Sequence, residues 1–213
     1  MKIALIGATG LVGSAILKEA LDRGHEVTAI ALNPDTLPED PHLFVSKADV
    51  FDEAALAEVF RGNVAVISAF SPSKTDPEIR QKHVQGIRTT IAAMKQAGVK
   101  RLLVVGGAGS LEVKPGVHVI DTPDFPDAWK GTALATADVL QFLRGEQEIE
   151  WTCLSPAAML QPGTRTGTFR LGTDQLLVDA KGQSSISTQD YAVAMIDELE
   201  RPAHIRQRFT VGY

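Results

Sequence analysis

The chain has 213 residues, 44% of them hydrophobic and 22% charged, with a net charge of −5 at pH 7. This is an ordinary globular composition, long enough for one sizeable core, and it lacks the basic stripe that a nucleic-acid surface needs. A single cysteine, Cys153, excludes an internal disulfide framework, and no apolar run reaches roughly 18 residues, so a cytoplasmic protein with no membrane span and no export leader is expected.

In chain order the pattern alternates. Apolar runs with strand character fall at Lys2–Ile6, Glu26–Ala31, Leu43–Ser46, Val64–Ser68, Arg101–Val105 and Glu150–Leu154. Between them, Leu11–Arg23, Ala54–Phe60, Glu78–Ala97 and Ala128–Arg144 carry apolar residues at three and four spacing and are predicted to be helices. Gly24, Gly62, Gly98 and Gly145 follow those helices, where left-handed caps are expected. Strand–helix alternation predicts an α/β fold of the doubly wound Rossmann type: a parallel sheet with helices on both faces, in one domain spanning residues 1–213. After Leu154 the pattern changes. Pro156–Gly182 is rich in Gly, Thr and Pro, and residues 155–187 are predicted to be substrate-side loops and short strands. Thr188–Leu199 is a last helix, capped by Ser187 or Thr188, and "QRFTVGY" is a closing strand.

The join between the first strand and helix is G-x-x-G-x-x-G, at Gly7, Gly10 and Gly13. The first glycine permits a tight turn, the second lets backbone approach a pyrophosphate, and the third lets helix and strand pack closely. The helix N-terminus then offers free N–H groups and the positive end of its dipole to the anion. A P-loop fails here, because Ser14 follows Gly13 without the required Lys. Strand, glycines and helix together predict a dinucleotide site that includes Gly7, Thr9, Gly10, Leu11, Val12 and Gly13. The five histidines have no metal-ligand spacing, so no metal is expected.

"GATGLVG" resembles the extended and atypical short-chain dehydrogenase/reductases. Taken with "VISAFSP", "GGAGSLEV", "DTPDFP", "LSPAA", "PGTRTG" and "RFTVGY", the chain resembles the NADH-flavin reductase group of the atypical, NAD(P)H-binding branch. The resemblance covers nearly the whole chain. It implies cofactor contacts at Asp49 and Val50, beside adenine, and at Ser68, Ala69 and Phe70, beside the ribose. Relatives carry "VRNP" after the second strand, where the Arg holds the 2′-phosphate of NADP. Here the stretch is "ALNP". Leu32 makes no phosphate contact, Asn33 and Asp35 are the polar groups beside it, and the cofactor choice leans to NAD.

The superfamily's proton donor is a Tyr followed four residues later by a Lys. This chain has only Tyr191 and Tyr213, both late in the fold; Trp129 stands near where the resemblance implies the Tyr, and Ala133 would be its Lys. Ordinary carbonyl reduction is therefore not expected. Flavin reduction fits better, because the flavin is its own electron sink and the protein need only orient two rings. The expectation is an NAD(P)H-dependent oxidoreductase of the flavin-reductase type, with a flavin or quinone-like acceptor as substrate. Ser110 sits where the superfamily places its catalytic Ser, and Arg165 and Arg170 are candidates to clamp an anionic substrate such as a flavin phosphate. The stretch Glu112–Trp129 reads as a long lid over the carboxyl end of the sheet, bringing Phe125 and Trp129 to the substrate side with Pro156. The alternatives are a non-catalytic dinucleotide sensor and a reductase or isomerase of another small molecule, in a monomer or homodimer.

Overall fold

The structure, a computed structural model, describes residues 1–213. Its strands are β1 (Lys2–Ile6), β2 (Glu26–Ile30), β3 (Leu43–Ser46), β4 (Ala65–Ser68), β5 (Arg101–Val105), β6 (Glu112–Lys114), β7 (Val117–His118), β8 (Glu150–Pro156), β9 (Met159–Gln161), β10 (Arg170–Gly172), β11 (Ser185–Ser187) and β12 (Gln207–Gly212). Its helices are α1 (Leu11–Asp22), α2 (Glu53–Phe60), α3 (Ile79–Ala97), α4 (Asp127–Arg144) and α5 (Thr188–Glu200). Eight strands form one sheet in the order β3-β2-β1-β4-β5-β8-β12-β10, parallel except for the β10 edge strand, which runs against β12. No helix is long and apolar enough to cross a membrane.

The sheet is covered on both faces, which is why its central strands are apolar on both sides. Ile3 and Leu5 of β1 pack with Ile16 and Leu17 of α1 and with Tyr191 and Ile196 of α5. Ala4 and Ile6 point the other way, into a layer built from Leu56 and Phe60 of α2, Ile87 and Met94 of α3, and Leu140 and Leu143 of α4. This is the expected doubly wound Rossmann architecture. From β1 the chain winds outward through β2 and β3, then returns to start β4 on β1's other side. The two halves therefore diverge between β1 and β4, and a crevice opens at their carboxyl ends.

Several expectations change in detail. Val64 stands just before β4 and is 53% exposed, because the strand's own pairing begins at Ala65. Gly24, Gly62 and Gly98 have positive φ, but Gly145 has φ −84° and continues the right-handed turn of α4. Ser187, rather than Thr188, caps α5, its Oγ accepting from Asp190 N at 2.9 Å. The stretch after β5 is less irregular than it reads: β6 and β7 pair as a short antiparallel ribbon, followed by a single turn at Val119–Asp121.

Candidate functional site

The turn from β1 into α1 separates the roles of its glycines. Gly7 has φ +79°, and a Cβ there would lie 2.6 Å from the Ala69 carbonyl oxygen at the end of β4. At Gly13 a Cβ would overlap the Gly7 carbonyl oxygen. Both glycines are required by the fold itself. Gly10 is different: it has φ −76°, and its nearest prospective contact is Gly7 O at an ordinary 3.4 Å. Gly10 also starts α1 without a side-chain cap. The first helical hydrogen bond runs from Ser14 N to Gly10 O, so the N–H groups of Leu11, Val12 and Gly13 have no acceptor in the chain. An anion seated there would satisfy them.

Some of the residues read from the sequence as cofactor contacts adjoin this turn. Ala69 and Phe70 adjoin Gly7 through their backbones. The Phe70 ring meets Phe51 edge-on at 5.8 Å and His83 at 5.9 Å. Ser68 is buried on β4, and its hydroxyl has no partner. Val50 is buried, whereas Asp49 is exposed and its Oδ1 accepts from Phe51 N at 3.0 Å, shaping the local turn. Leu32, 56% exposed, and Asn33 follow β2 at the rim.

Across the carboxyl ends of β5 and β8 lies a cleft of about 690 Å³. Gly106–Gly109 form one wall, α4 another and residues 156–161 a third. Of the substrate-side candidates, Phe125, Trp129 and Pro156 line it. Trp129 and Ala133, one helical turn apart on α4, both face this cleft.

A sequence profile of the NAD(P)H-binding family matches residues 7–202. The chain belongs to this family, within the atypical short-chain dehydrogenase/reductases. It is 45% identical to an uncharacterised Bacillus subtilis protein, YwnB, over 214 aligned residues covering 99% of this chain and 98% of that one. A Bacteroides thetaiotaomicron structure provisionally described as an epimerase superimposes with a TM-score of 0.93 at 48% identity, covering 100% of this chain and 96% of its own. A Streptococcus pneumoniae structure provisionally described as an NADH-flavin reductase superimposes with a TM-score of 0.85 at 37% identity, covering 100% and 99%.

For a member of this oxidoreductase family, several polar groups have unexpected destinations. Ser110 lies outside the cleft lining; its Oγ and carbonyl oxygen accept from Arg208 Nη1 at 3.0 and 3.2 Å. The remaining Arg208 nitrogens bind Asp174, so Ser110 anchors its loop to β12. Arg165 pairs with Glu19 of α1 through two hydrogen bonds of 2.7 Å and does not reach the cleft. Arg170 donates to the carbonyl oxygens of Val178 and Tyr213 at the sheet edge. Neither arginine lines the cleft, and the donors of both close loops.

Asp190 does the same work from α5. Burial alone would raise its carboxyl pKa, but donors from Thr166, Tyr213 and Gly167 outweigh burial and hold it below the ordinary range. Sequence reading missed Met159 and Leu160, which complete the cleft wall, and Lys74, a rim residue from the loop after β4. Their only signal was a position after a strand's carboxyl end. It also missed His83, whose buried ring has neither nitrogen hydrogen-bonded.

Proposed function

We propose that the chain is an NAD(P)H-dependent reductase that passes hydride to a planar two-electron acceptor, a flavin or a quinone. The observation that carries this reading is the pair Trp129 and Ala133. They face the cleft from the positions of the superfamily's acid, yet supply neither a phenol nor an ammonium. A ketone's developing alkoxide needs a proton donor or an oxyanion site. An oxidised flavin or quinone accepts the hydride into its conjugated ring and takes its balancing proton from water.

The residues divide the work. NAD(P)H, when bound, supplies the hydride. The free N–H groups of Leu11, Val12 and Gly13 suit its pyrophosphate, and the backbone opening at Gly10 leaves room for it. We also place Thr9, Ser68, Ala69 and Phe70 beside the dinucleotide, on their proximity to that turn and to the carboxyl ends of β1 and β4, and Asp49 and Val50 there on the family resemblance. Phe125 and Trp129 offer apolar surface for an acceptor ring, so catalysis rests on orientation more than on acid chemistry. The lean to NAD is supported by the hollow between α1 and residues 36–40. Its one cation, Lys18, is held by Asp22 at 2.8 Å, and Glu39 and Asp40 add negative charge. A 2′-phosphate has no free cationic partner there.

The test is NAD(P)H oxidation with FMN, riboflavin and a quinone, against an unactivated ketone. Turnover is expected with the first three and almost none with the ketone. Ser110→Ala should lower the rate by at most about 10²-fold, since its hydroxyl is held by Arg208. Robust ketone turnover would refute the mechanism. Tight cofactor binding with no turnover of any acceptor would instead assign the chain to dinucleotide sensing.

A further inference from the structure

Resting on the reading of the cleft as the acceptor site, we infer that the acceptor is recognised as an uncharged planar ring: a quinone, or a flavin read by its ring system without its phosphate. The cleft's apolar surface is large and open. Trp129 is 46% exposed and Met159 47% exposed, with Phe125 beside them. Exposed aromatic and thioether side chains in a concave site suit the face of a conjugated ring.

Charge argues against a phosphate. The charged lining consists of Lys74 and Asp124, one of each sign, both exposed on the rim. The arginines that would clamp a phosphate bidentately are committed: Arg165 to Glu19, Arg170 to two carbonyls, Arg208 to Asp174 and Ser110, and Arg80 to Asp138. Helix α4 opens at the cleft, but its first turn carries Asp127, which opposes an anion at that positive end. The chain as a whole carries −5, while a phosphate monoester would bring about −2 more. Along the cleft, the N–H groups of Gly107, Ala108 and Gly109 have no acceptor in the chain. Such donors match the ring carbonyls common to quinones and isoalloxazines.

Binding without NAD(P)H tests this independently of turnover. Trp129 is exposed and Trp151, the only other tryptophan, is 3% exposed, so quenching of tryptophan fluorescence reports the cleft. Lumiflavin, riboflavin and FMN are titrated at low and at high salt, and the titration is repeated with Trp129→Phe. The three flavins should bind within about threefold of one another, because no charged hydrogen bond distinguishes them. Their order should not change with salt, and Trp129→Phe should abolish the quench. FMN binding about tenfold or more tighter than riboflavin, with the advantage shrinking at high salt, would reveal a phosphate site and overturn the inference. So would a quench that survives Trp129→Phe, or no quench by any flavin. If the neutral rings bind as described but no acceptor oxidises NAD(P)H, the reductase reading fails while the binding preference stands.

Discussion

Replacing Gly10 by valine should abolish dinucleotide binding while leaving the fold nearly untouched. The backbone at Gly10 has φ −76°, which any L residue adopts, and a Cβ there meets Gly7 O at 3.4 Å. The folded chain therefore loses little, below about 1 kcal/mol at this helix-start position. The cost falls on the ligand, whose path along the turn the valine branch occupies. Losing two of the three charge-assisted bonds from Leu11, Val12 and Gly13 costs about 3–6 kcal/mol, or roughly 10²–10⁴-fold in Kd. Gly13→Ala gives the contrast, because its Cβ would overlap the Gly7 carbonyl and force the backbone to move. Calorimetry with NADH and NADPH reads the affinity, and chemical denaturation reads the stability. A Gly10→Val protein that is folded and binds as tightly as the parent would refute the placement of the pyrophosphate. One as destabilised as Gly13→Ala would refute the division of roles among the glycines.

Leu32→Arg should move the cofactor preference toward NADPH by about 1–3 kcal/mol, the worth of one charged hydrogen bond, measured as the ratio of the two dissociation constants. An unchanged ratio would place the 2′-phosphate elsewhere than at this rim. His83 sets a pH dependence of stability. Burial pushes its imidazole down to about 4. The native state therefore holds it neutral, and the unfolded chain takes up the proton first. Its contribution is complete above about pH 6.5, falls as the pH drops toward about 4 and is level below, amounting to about 3 kcal/mol. His83→Leu should remove that slope from urea-unfolding free energies measured across the interval, and a slope equal to the parent's would show that other groups cause it.

The sequence displayed what is local and hid what is long-range. β1 and β5 stand where their apolar runs lie, because a strand buried on both faces must be apolar throughout; β3 also matches its run, as an edge strand with Phe44 and Val45 half exposed. The glycine turn was legible because its spacing encodes a contact between residues six apart. The family was legible from motifs spread along the chain, as the match over residues 7–202 bears out. The arginines were not. Arg165 carries no mark of Glu19, which lies 146 positions away, and Ser110 carries none of Arg208, 98 positions away. Gly145 shows a smaller failure: a glycine after a helix permits a left-handed cap without requiring one, and here the chain turns on with φ −84°.

The arginine destinations also explain the character of the cleft. Its third wall comes from residues 156–161, within a region whose strands are only three residues long. Such a region has little ladder hydrogen bonding to hold it, so side chains must do so. Arg165 ties the loop after β9 to α1, Asp190 gathers Thr166, Gly167 and Tyr213, and Arg208 joins Asp174 to the Ser110 loop. Each of these groups makes its bonds within the chain, and Arg165 could not leave Glu19 without stranding a buried carboxylate. The segments that shape the cleft thus engage several charged groups in bonds within the chain. A cleft with few charges is consistent with how this fold braces its loops, and in the proposed reading it accompanies Trp129 and Ala133, which carry neither a phenol nor an ammonium. A site without a free guanidinium or a proton donor is suited to a ring that needs neither.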